Sequence, residues 1–195
     1  MQAGRLAVRV GSTRLLFSPA PDFQGEPLAQ HFAFNVPPGQ FEEAREWVSE
    51  RAELLPDASG ETVFFFQDWN AQMLYFRDAD GNILELIARY TLRGSFPELP
   101  FGPGSLLGLS EVGVVTPDPG GLAAELEAAG LPRYGETSPD FIPLGDEEGL
   151  FIVVREGRPW FPSGEAAWMR PLRVQAQGPR GERVEVAGVP PRVTA

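Results

Sequence analysis

A short hairpin pattern near the middle of the chain constrains the fold more than any other feature of the sequence. Two short, mostly apolar segments, Gln72–Arg77 and Ile83–Arg89, flank the polar sequence DADGN. Apolar runs of this length bounded by turn residues are typical of buried strands, and an Asp-Gly pair is typical of the tight turn that joins two of them. The segment Tyr75–Ile87 therefore predicts two adjacent antiparallel strands.

This hairpin completes a longer pattern of strand, helix and three strands. An apolar strand is predicted at Ala29–Val36, and it stops at the sequence Pro-Pro-Gly. From Phe41 to Ala52, apolar residues recur at the spacing of an amphipathic helix. An aromatic strand at Thr62–Gln67 then leads into the hairpin.

A second stretch of the chain repeats this order. After a strand at Leu109–Thr116, Asp118 is placed to cap a helix with Pro119 in its first turn, and Gly130 marks the end of that helix. The three following strands are predicted at Phe141–Leu144, Leu150–Arg155 and Leu172–Gln177. The two βαβββ units are related by pattern and not by identity.

These elements predict an α+β fold in which paired βαβββ modules form a cupped, incompletely closed mixed β-barrel with the helices outside. We expect an N-terminal hairpin in residues 1–26 that completes the sheet, a first module at 27–90, a linker at 91–105, a second module at 106–178 and a C-terminal tail at 179–195. The interior of the cup is the natural pocket for a small-molecule substrate or ligand.

Composition excludes several classes of function. A formal net charge of −11 disfavours nucleic-acid partners, and no apolar run of about 18 residues predicts a membrane span. The N-terminus lacks a signal-peptide layout, so we expect a cytoplasmic protein. The absence of cysteine and lysine excludes thiolate metal sites, cysteine nucleophiles and Schiff-base chemistry. Any imidazole chemistry must use His31, the one histidine.

Strand alternation places two chemically distinctive side chains, His31 and Glu85, on the inner face of the cup. A buried carboxylate requires a partner, so we expect Glu85 to meet either a metal ion or an arginine. Gln72 is predicted to point into the same space. Imidazole, carboxylate and amide donors suit Fe(II), Mn(II), Ni(II) or Zn(II) with open coordination positions. The alternative for His31 is a hydrogen-bonded structural role.

Four aromatic residues are predicted to line the substrate pocket: Phe65, Trp69, Tyr75 and Trp160. Their rings supply apolar contact area for an organic ligand. Ordinary packing in the core and at its rim is the alternative for each of them.

The segment YFRDADGNILELI resembles the last hairpin of a module in the glyoxalase / bleomycin-resistance / extradiol-dioxygenase (vicinal oxygen chelate) superfamily. HFAF resembles the first strand of that module, and QFEEAREWVSER and DWNAQMLYF extend the resemblance over residues 29–90. SEVGVVT and GDEEGLFIVV carry it more weakly into the second module. The chain is similar to poorly characterised bacterial members of the superfamily.

The resemblance implies a divalent metal held by the first and last strands of paired modules. His31 matches the inward histidine of the first strand, and Glu85 matches the metal carboxylate of the last strand. Glu111 stands where the second module would carry a histidine ligand, and Gln72 stands where related sequences often carry histidine. Glu111 and Gln72 are therefore candidate metal ligands or, if not bound to metal, candidate groups for moving or orienting a proton.

The implied activity is that of a metal-dependent lyase, isomerase or dioxygenase acting on a small oxygenated molecule, which chelates the metal through neighbouring oxygens. The second candidate is a metal-free binding protein like the antibiotic-sequestering members of the superfamily. Because cupped modules of this family commonly pair, the resemblance also implies a homodimer.

Overall fold

The computed structural model describes residues 4, 6–17, 29–94, 96, 100–177, 181 and 183–188. These ranges contain two α-helices, eleven β-strands and three short 3-10 helices. The helices are α1 (Phe41–Ser49) and α2 (Pro119–Ala128). The strands are β1 (Leu6–Val10), β2 (Thr13–Phe17), β3 (His31–Asn35), β4 (Val63–Phe66), β5 (Ala71–Arg77), β6 (Ile83–Arg89), β7 (Gly108–Thr116), β8 (Phe141–Asp146), β9 (Gly149–Arg155), β10 (Leu172–Gln177) and β11 (Arg183–Gly188).

Seven of the strands form one curled, open sheet in the order β4-β5-β6-β3-β7-β9-β8. β3 lies near its centre, parallel to β6 on one side and antiparallel to β7 on the other. β7 in turn lies parallel to β9, so each module contains one pair of parallel strands, next to the other module. The predicted α+β fold, a cupped and incompletely closed mixed barrel, is confirmed.

The two faces of the curved sheet have different coverings. The inner face holds a core of small apolar and aromatic side chains, among them Ala33, Ile83 and Ile152. On the outer face, α1 and the β1–β2 hairpin pack on the first module, while α2 and the β10–β11 hairpin pack on the second. α2 begins as the sequence predicts, because Asp118 accepts a hydrogen bond from the Gly121 amide at 3.0 Å.

The N-terminal hairpin does not complete the main sheet, which corrects the prediction for residues 1–26. Within the described residues, β1 and β2 pair with each other as a separate two-stranded sheet. Neither strand of the hairpin joins β4 or β8, the two edge strands of the main sheet. The hairpin instead buries Val10 against the core under α1, and the Ser12 amide donates to the Leu107 carbonyl at 3.0 Å.

The end of the second module also differs from the prediction. Leu172–Gln177 does not join the main sheet as a third strand but pairs with β11, which lies inside the predicted tail at 179–195. β9 already fills the position parallel to β7, so β10 has no edge to join there. The second module therefore contributes three strands to the main sheet and the first contributes four. No helix in the described ranges is long and apolar enough to cross a membrane.

Candidate metal centre

Three neighbouring strands bring one histidine and two glutamates to a single point on the inner face. His31 begins β3, Glu85 lies on β6 and Glu111 lies on β7. Ala33 of β3 pairs with Glu85 on one side and with Glu111 on the other, so the two carboxylates flank the central strand. One potential ligand atom from each of the three side chains lies within 4.8 Å of the others. All three residues are buried, with exposed fractions of 5%, 2% and 4%.

A backbone carbonyl fixes the orientation of the His31 imidazole. Its Nδ1 lies 3.3 Å from the Ile83 carbonyl oxygen, which can only accept, so Nδ1 carries the proton of that hydrogen bond. Nε2 then faces the carboxylates, 3.5 Å from Glu85 Oε2 and 3.7 Å from Glu111 Oε2. A backbone carbonyl that fixes the tautomer in this way is the usual support for a metal-binding histidine.

Glu111 is held by a buried arginine at the end of β6. Arg89 Nη2 donates to Glu111 Oε1 at 2.5 Å, and Arg89 Nε and Nη2 each lie 3.2 Å from the Ser110 hydroxyl. The guanidinium is fully buried beneath the rings of Trp69 and Tyr134, whose centroids lie 5.0 and 5.5 Å from its central carbon. Arg89 therefore binds one oxygen of Glu111 and leaves Oε2 facing His31.

Glu85 lacks such a cation of its own. Its burial raises the pKa of the carboxyl well above the usual range, and the nearby Glu111 charge adds to this, while Arg89 and a hydrogen bond with Tyr75 oppose it. Burial and the negative charge of Glu85 likewise raise the pKa of the Tyr75 phenol. The phenol therefore stays protonated, and its hydroxyl donates to Met73 Sδ at 3.3 Å. The centre holds one carboxylate with a cationic partner and one without.

A cavity of about 680 Å³ opens over these residues, within the range of small-molecule sites. The four aromatic residues predicted to line the pocket all lie on its wall, together with His31, Glu85 and Glu111. The ring centroid of Trp160 lies 5.3 Å from that of His31, and the centroid of Tyr75 lies 6.3 Å from it. Gly113 makes room for Trp160, because a Cβ there would lie 2.8 Å from Trp160 Cη2.

The structure does not bring Gln72 to this cluster. Tyr75 pairs with Glu85 across β5 and β6, whereas Gln72 pairs with Ala88, so Gln72 lies on the outer face. Its side-chain oxygen accepts a hydrogen bond from the Tyr90 hydroxyl. The prediction placed Gln72 on the inner face because it did not fix the pairing register, which depends on the length of the turn at 78–82.

Two residues important to the geometry were missed in the sequence. Arg89 shares the strand parity of Glu85, so its inward direction is readable from the pattern Ile83–Arg89. Its pairing with Glu111 was not predictable, because it depends on the distant contact between β6, β3 and β7. The second is Ile152, which pairs with Gly113 as Glu85 pairs with Ala33. The predicted module assigned this position to Leu172–Gln177, which lies in another sheet.

No protein-family model and no curated protein sequence matches the chain. Among solved structures, a candidate dioxygenase from Bacillus subtilis subsp. subtilis str. 168 matches 73% of this chain at 20% identity, with a TM-score of 0.52. This chain spans 46% of the length of that protein.

Two further structures resemble the chain less closely. Methylmalonyl-CoA epimerase from Mycobacterium tuberculosis matches 65% of this chain and 87% of its own length, at 12% identity and a TM-score of 0.39. Glyoxalase I from Zea mays matches 80% of this chain and 53% of its own length, at 18% identity and a TM-score of 0.44. The fold assignment rests on the Bacillus structure and on the strand order. The chain therefore has the fold of the vicinal oxygen chelate superfamily, which the segment Tyr75–Ile87 predicts.

Proposed function

We propose that His31, Glu85 and Glu111 bind a divalent metal ion, and that the chain is a metal-dependent enzyme of glyoxalase or dioxygenase type acting on a small oxygenated organic molecule. One observation carries the proposal: three buried side chains from three strands direct ligand atoms to within 4.8 Å of one another at a cavity. Fe(II), Mn(II), Ni(II) and Zn(II) are the ions that suit one imidazole and two carboxylates.

The charges of the cluster fit a cation. Two carboxylates are buried beside a single buried arginine, which leaves one negative charge uncompensated when both carboxylates are ionised and His31 is neutral. Burying an unpaired carboxylate is costly, and the raised pKa of Glu85 is the consequence. A divalent cation would remove that cost and favour the ionised form of Glu85.

The donor geometry also fits. Bonds of about 2.1 Å to a common ion place neighbouring ligand atoms about 3.0 to 3.4 Å apart. The His31–Glu85 and His31–Glu111 separations of 3.5 and 3.7 Å require only small side-chain adjustments. Two of the ligand side chains also have a partner away from the centre: the Ile83 carbonyl for His31 and Arg89 for Glu111. Such supports are typical of protein metal sites.

The residues of the chain have separable tasks in this proposal. The imidazole Nε2 of His31 and one oxygen of each glutamate bind the ion, which would act as a Lewis acid on a substrate oxygen. Arg89 holds Glu111 Oε1, so that only Oε2 is available to the centre. If Glu111 does not bind the ion, its Oε2 is the candidate for moving or orienting a proton. The aromatic walls at Trp69 and Trp160 exclude water around the ligand.

A metal-free binding protein is the second candidate, and the Arg89–Glu111 ion pair favours it. That pair neutralises one carboxylate without metal, and a protonated Glu85 would leave the cluster with no net negative charge. The same cavity would then hold an organic ligand by apolar contacts alone.

Metal content separates the two candidates. The chain is purified without chelator and without a histidine tag, and bound metals are measured by mass spectrometry. Chelator-treated protein is then titrated calorimetrically with Zn(II), Mn(II), Ni(II) and, without oxygen, Fe(II). We expect one ion per chain, and loss of binding by at least about a hundredfold in His31→Ala.

Gln72→Ala is the matched control, because Gln72 lies on the outer face and bonds to Tyr90. It should bind metal as the unmodified chain does. Substoichiometric metal after purification, with no binding in any titration, would contradict the metal-dependent function and leave the binding protein as the better description.

A further inference from the structure

Two exposed phenylalanine rings lie at the mouth of the cavity. Phe66 and Phe161 are 40% and 39% exposed, and both lie on the cavity wall. Phe65 also borders the cavity, but it pairs with Gln72, and its ring lies 6.5 Å from that of Tyr90 on the outer face. Large exposed apolar side chains grouped at one opening are typical of ligand- or partner-binding surfaces. These rings belong to two separate segments, the edge strand β4 and the loop after β9, which meet across the opening.

Phe161 packs against three neighbouring aromatic rings on this wall. Its ring centroid lies 4.8 Å from that of Phe64, 5.5 Å from that of Tyr75 and 5.8 Å from that of Phe66. The first two contacts are edge-to-face, at interplanar angles of 76° and 81°. The position of Phe161 is further fixed because Arg77 forms an ion pair with Glu165, four residues beyond it. The rings are therefore held in place before any ligand binds.

One cation lies on the same wall. Among the described residues that line the cavity, Arg158 is the single arginine and His31 the other basic residue, whereas Asp68, Glu85, Glu111 and Glu136 are acidic. The Arg158 guanidinium lies 4.7 Å from the Phe141 ring centroid, and Nη1 donates to the Pro159 carbonyl at 3.0 Å. No carboxylate of the described residues lies within 4.0 Å of it.

Arg158 is also partly desolvated. Burial lowers the pKa of its guanidinium, and the only opposing charge in this balance is that of Asp140, which already forms an ion pair with Arg155. A half-buried arginine with free donors, stacked on a ring, is suited to bind a planar acidic group.

Resting on the proposed function, we propose that the cavity binds a flat aromatic molecule bearing an acidic group, with its ring against Phe66 and Phe161 and its acid on Arg158. The ring of the ligand would cover the exposed side chains of Phe66 and Phe161 at the mouth of the cavity. The acidic group would pair with Arg158, the one arginine among the described residues of the wall. The cluster of His31, Glu85 and Glu111 remains available to other oxygens of the same molecule. Two simpler occupants, a neutral aromatic molecule and a second copy of the chain, predict different results.

The probes are 2-naphthoate, its neutral counterpart 2-naphthalenemethanol, and cyclohexanecarboxylate, which has an acid and no aromatic ring. Equilibrium dialysis against the chelator-treated full chain gives each affinity, so binding is measured independently of metal. We expect one 2-naphthoate per chain and weaker binding of both other probes. Arg158→Gln should weaken 2-naphthoate binding by at least about tenfold and leave 2-naphthalenemethanol unchanged.

Phe161→Leu, which keeps an apolar side chain but removes the ring, should weaken both naphthalene probes by about five- to tenfold. Arg14→Gln and Phe17→Ala are matched controls on the N-terminal hairpin, where both residues are exposed. An unchanged 2-naphthoate affinity in Arg158→Gln would overturn the proposal. So would a stable dimer by sedimentation that Phe66→Ser dissociates, if that dimer does not bind 2-naphthoate. Failure of metal binding alone would leave these results intact.

Discussion

The two modules place their side chains alike around the centre but supply different chemistry. In the first module, Ala33 pairs with Glu85; in the second, Gly113 pairs with Ile152. Ile152 therefore holds the position in the second module that Glu85 holds in the first. One module supplies an imidazole and a carboxylate, and the other supplies the Glu111 carboxylate and an apolar side chain that also lines the cavity.

The two carboxylates differ in their partners as well. Glu111 forms an ion pair with the fully buried Arg89, whereas Glu85 has the neutral phenol of Tyr75. Removal of either glutamate should therefore remove one proposed metal ligand but change the stability of the metal-free fold in opposite directions. We expect the ion pair of Glu111 to stabilise the fold and the ionised carboxylate of Glu85 to destabilise it, and substitutions can separate the two effects.

Glu111→Gln should have the largest effect on stability. It leaves Arg89, which is 0% exposed, as a buried cation without its counter-ion, and such changes cost about 3–5 kcal/mol. The free energy of unfolding is measured by urea titration in chelator. Glu127→Gln is the control, because Glu127 pairs with Arg133 at the surface, and its loss should leave the free energy of unfolding close to that of the unmodified chain. Similar losses in both variants would contradict the difference between the two carboxylates.

The sequence predicts the first module well because its signals are local. The apolar runs and the Asp-Gly turn of Tyr75–Ile87 act over a few residues and predict the hairpin that forms, as the cap at Asp118 does for α2 in the second module. Inward directions for His31 and Glu85 follow from strand parity alone. These side chains meet because β3 and β6 are neighbours, as the hairpin resemblance implies.

What could not be predicted depends on pairing between distant strands. Gln72 was assigned to the inner face because parity within β5 does not fix its register against β6. The strand β10 was assigned to the main sheet because its length and alternation suit any sheet, and its competition with β9 is a tertiary effect. Arg89 joins Glu111 only after β3 and β7 pair.

Glu85→Gln should stabilise the metal-free chain, opposite to Glu111→Gln. Burial raises the folded-state pKa of Glu85, so as pH rises above about 4.3 the unfolded state releases this proton first. The free energy of unfolding therefore falls with pH until the raised pKa is passed and stays low above it. At pH 8 the variant should gain about 1–3 kcal/mol, and below pH 4 the gain should vanish.

The free energy of unfolding of the unmodified chain and of Glu85→Gln is measured by urea titration in chelator at several pH values. The gain is the difference between the two values at each pH. With Zn(II) present the order should reverse, because the unmodified chain gains the binding energy and Glu85→Gln has lost a ligand. A constant difference at every pH would show that ionisation of Glu85 is not the source.

Ile152→His should make the second module more like the first. Ile152 is buried on the cavity wall at the position equivalent to Glu85, so an imidazole there adds a fourth donor. Metal binding should tighten by about tenfold, equivalent to about 1.4 kcal/mol, in calorimetric titrations of chelator-treated protein. Val154→His, on the same face of β9 but off the cavity wall, is the control. Equal affinities in the two variants would contradict the proposed equivalence of Ile152 and Glu85.

Gly113→Ala tests the smallest difference between the modules. The first module has Ala33 at this position, whereas Gly113 lets the Trp160 ring approach β7 beside His31. An added Cβ would lie 2.8 Å from Trp160 Cη2 and 3.2 Å from His31 Cβ, so the ring must shift. We expect a loss of about 1–2 kcal/mol in the free energy of unfolding and a change in tryptophan emission.

Gly149→Ala is the matched control for this change, because no atom lies within 4 Å of the added Cβ at the exposed start of β9. It should leave both the emission and the stability close to those of the unmodified chain. If Gly113→Ala also left the emission and the stability unchanged, the packing of Trp160 against His31 would have enough free volume for the added methyl group. The absence of a side chain at Gly113 would then have no part in shaping the cavity, and the difference between the modules would reduce to Ile152 and Arg89.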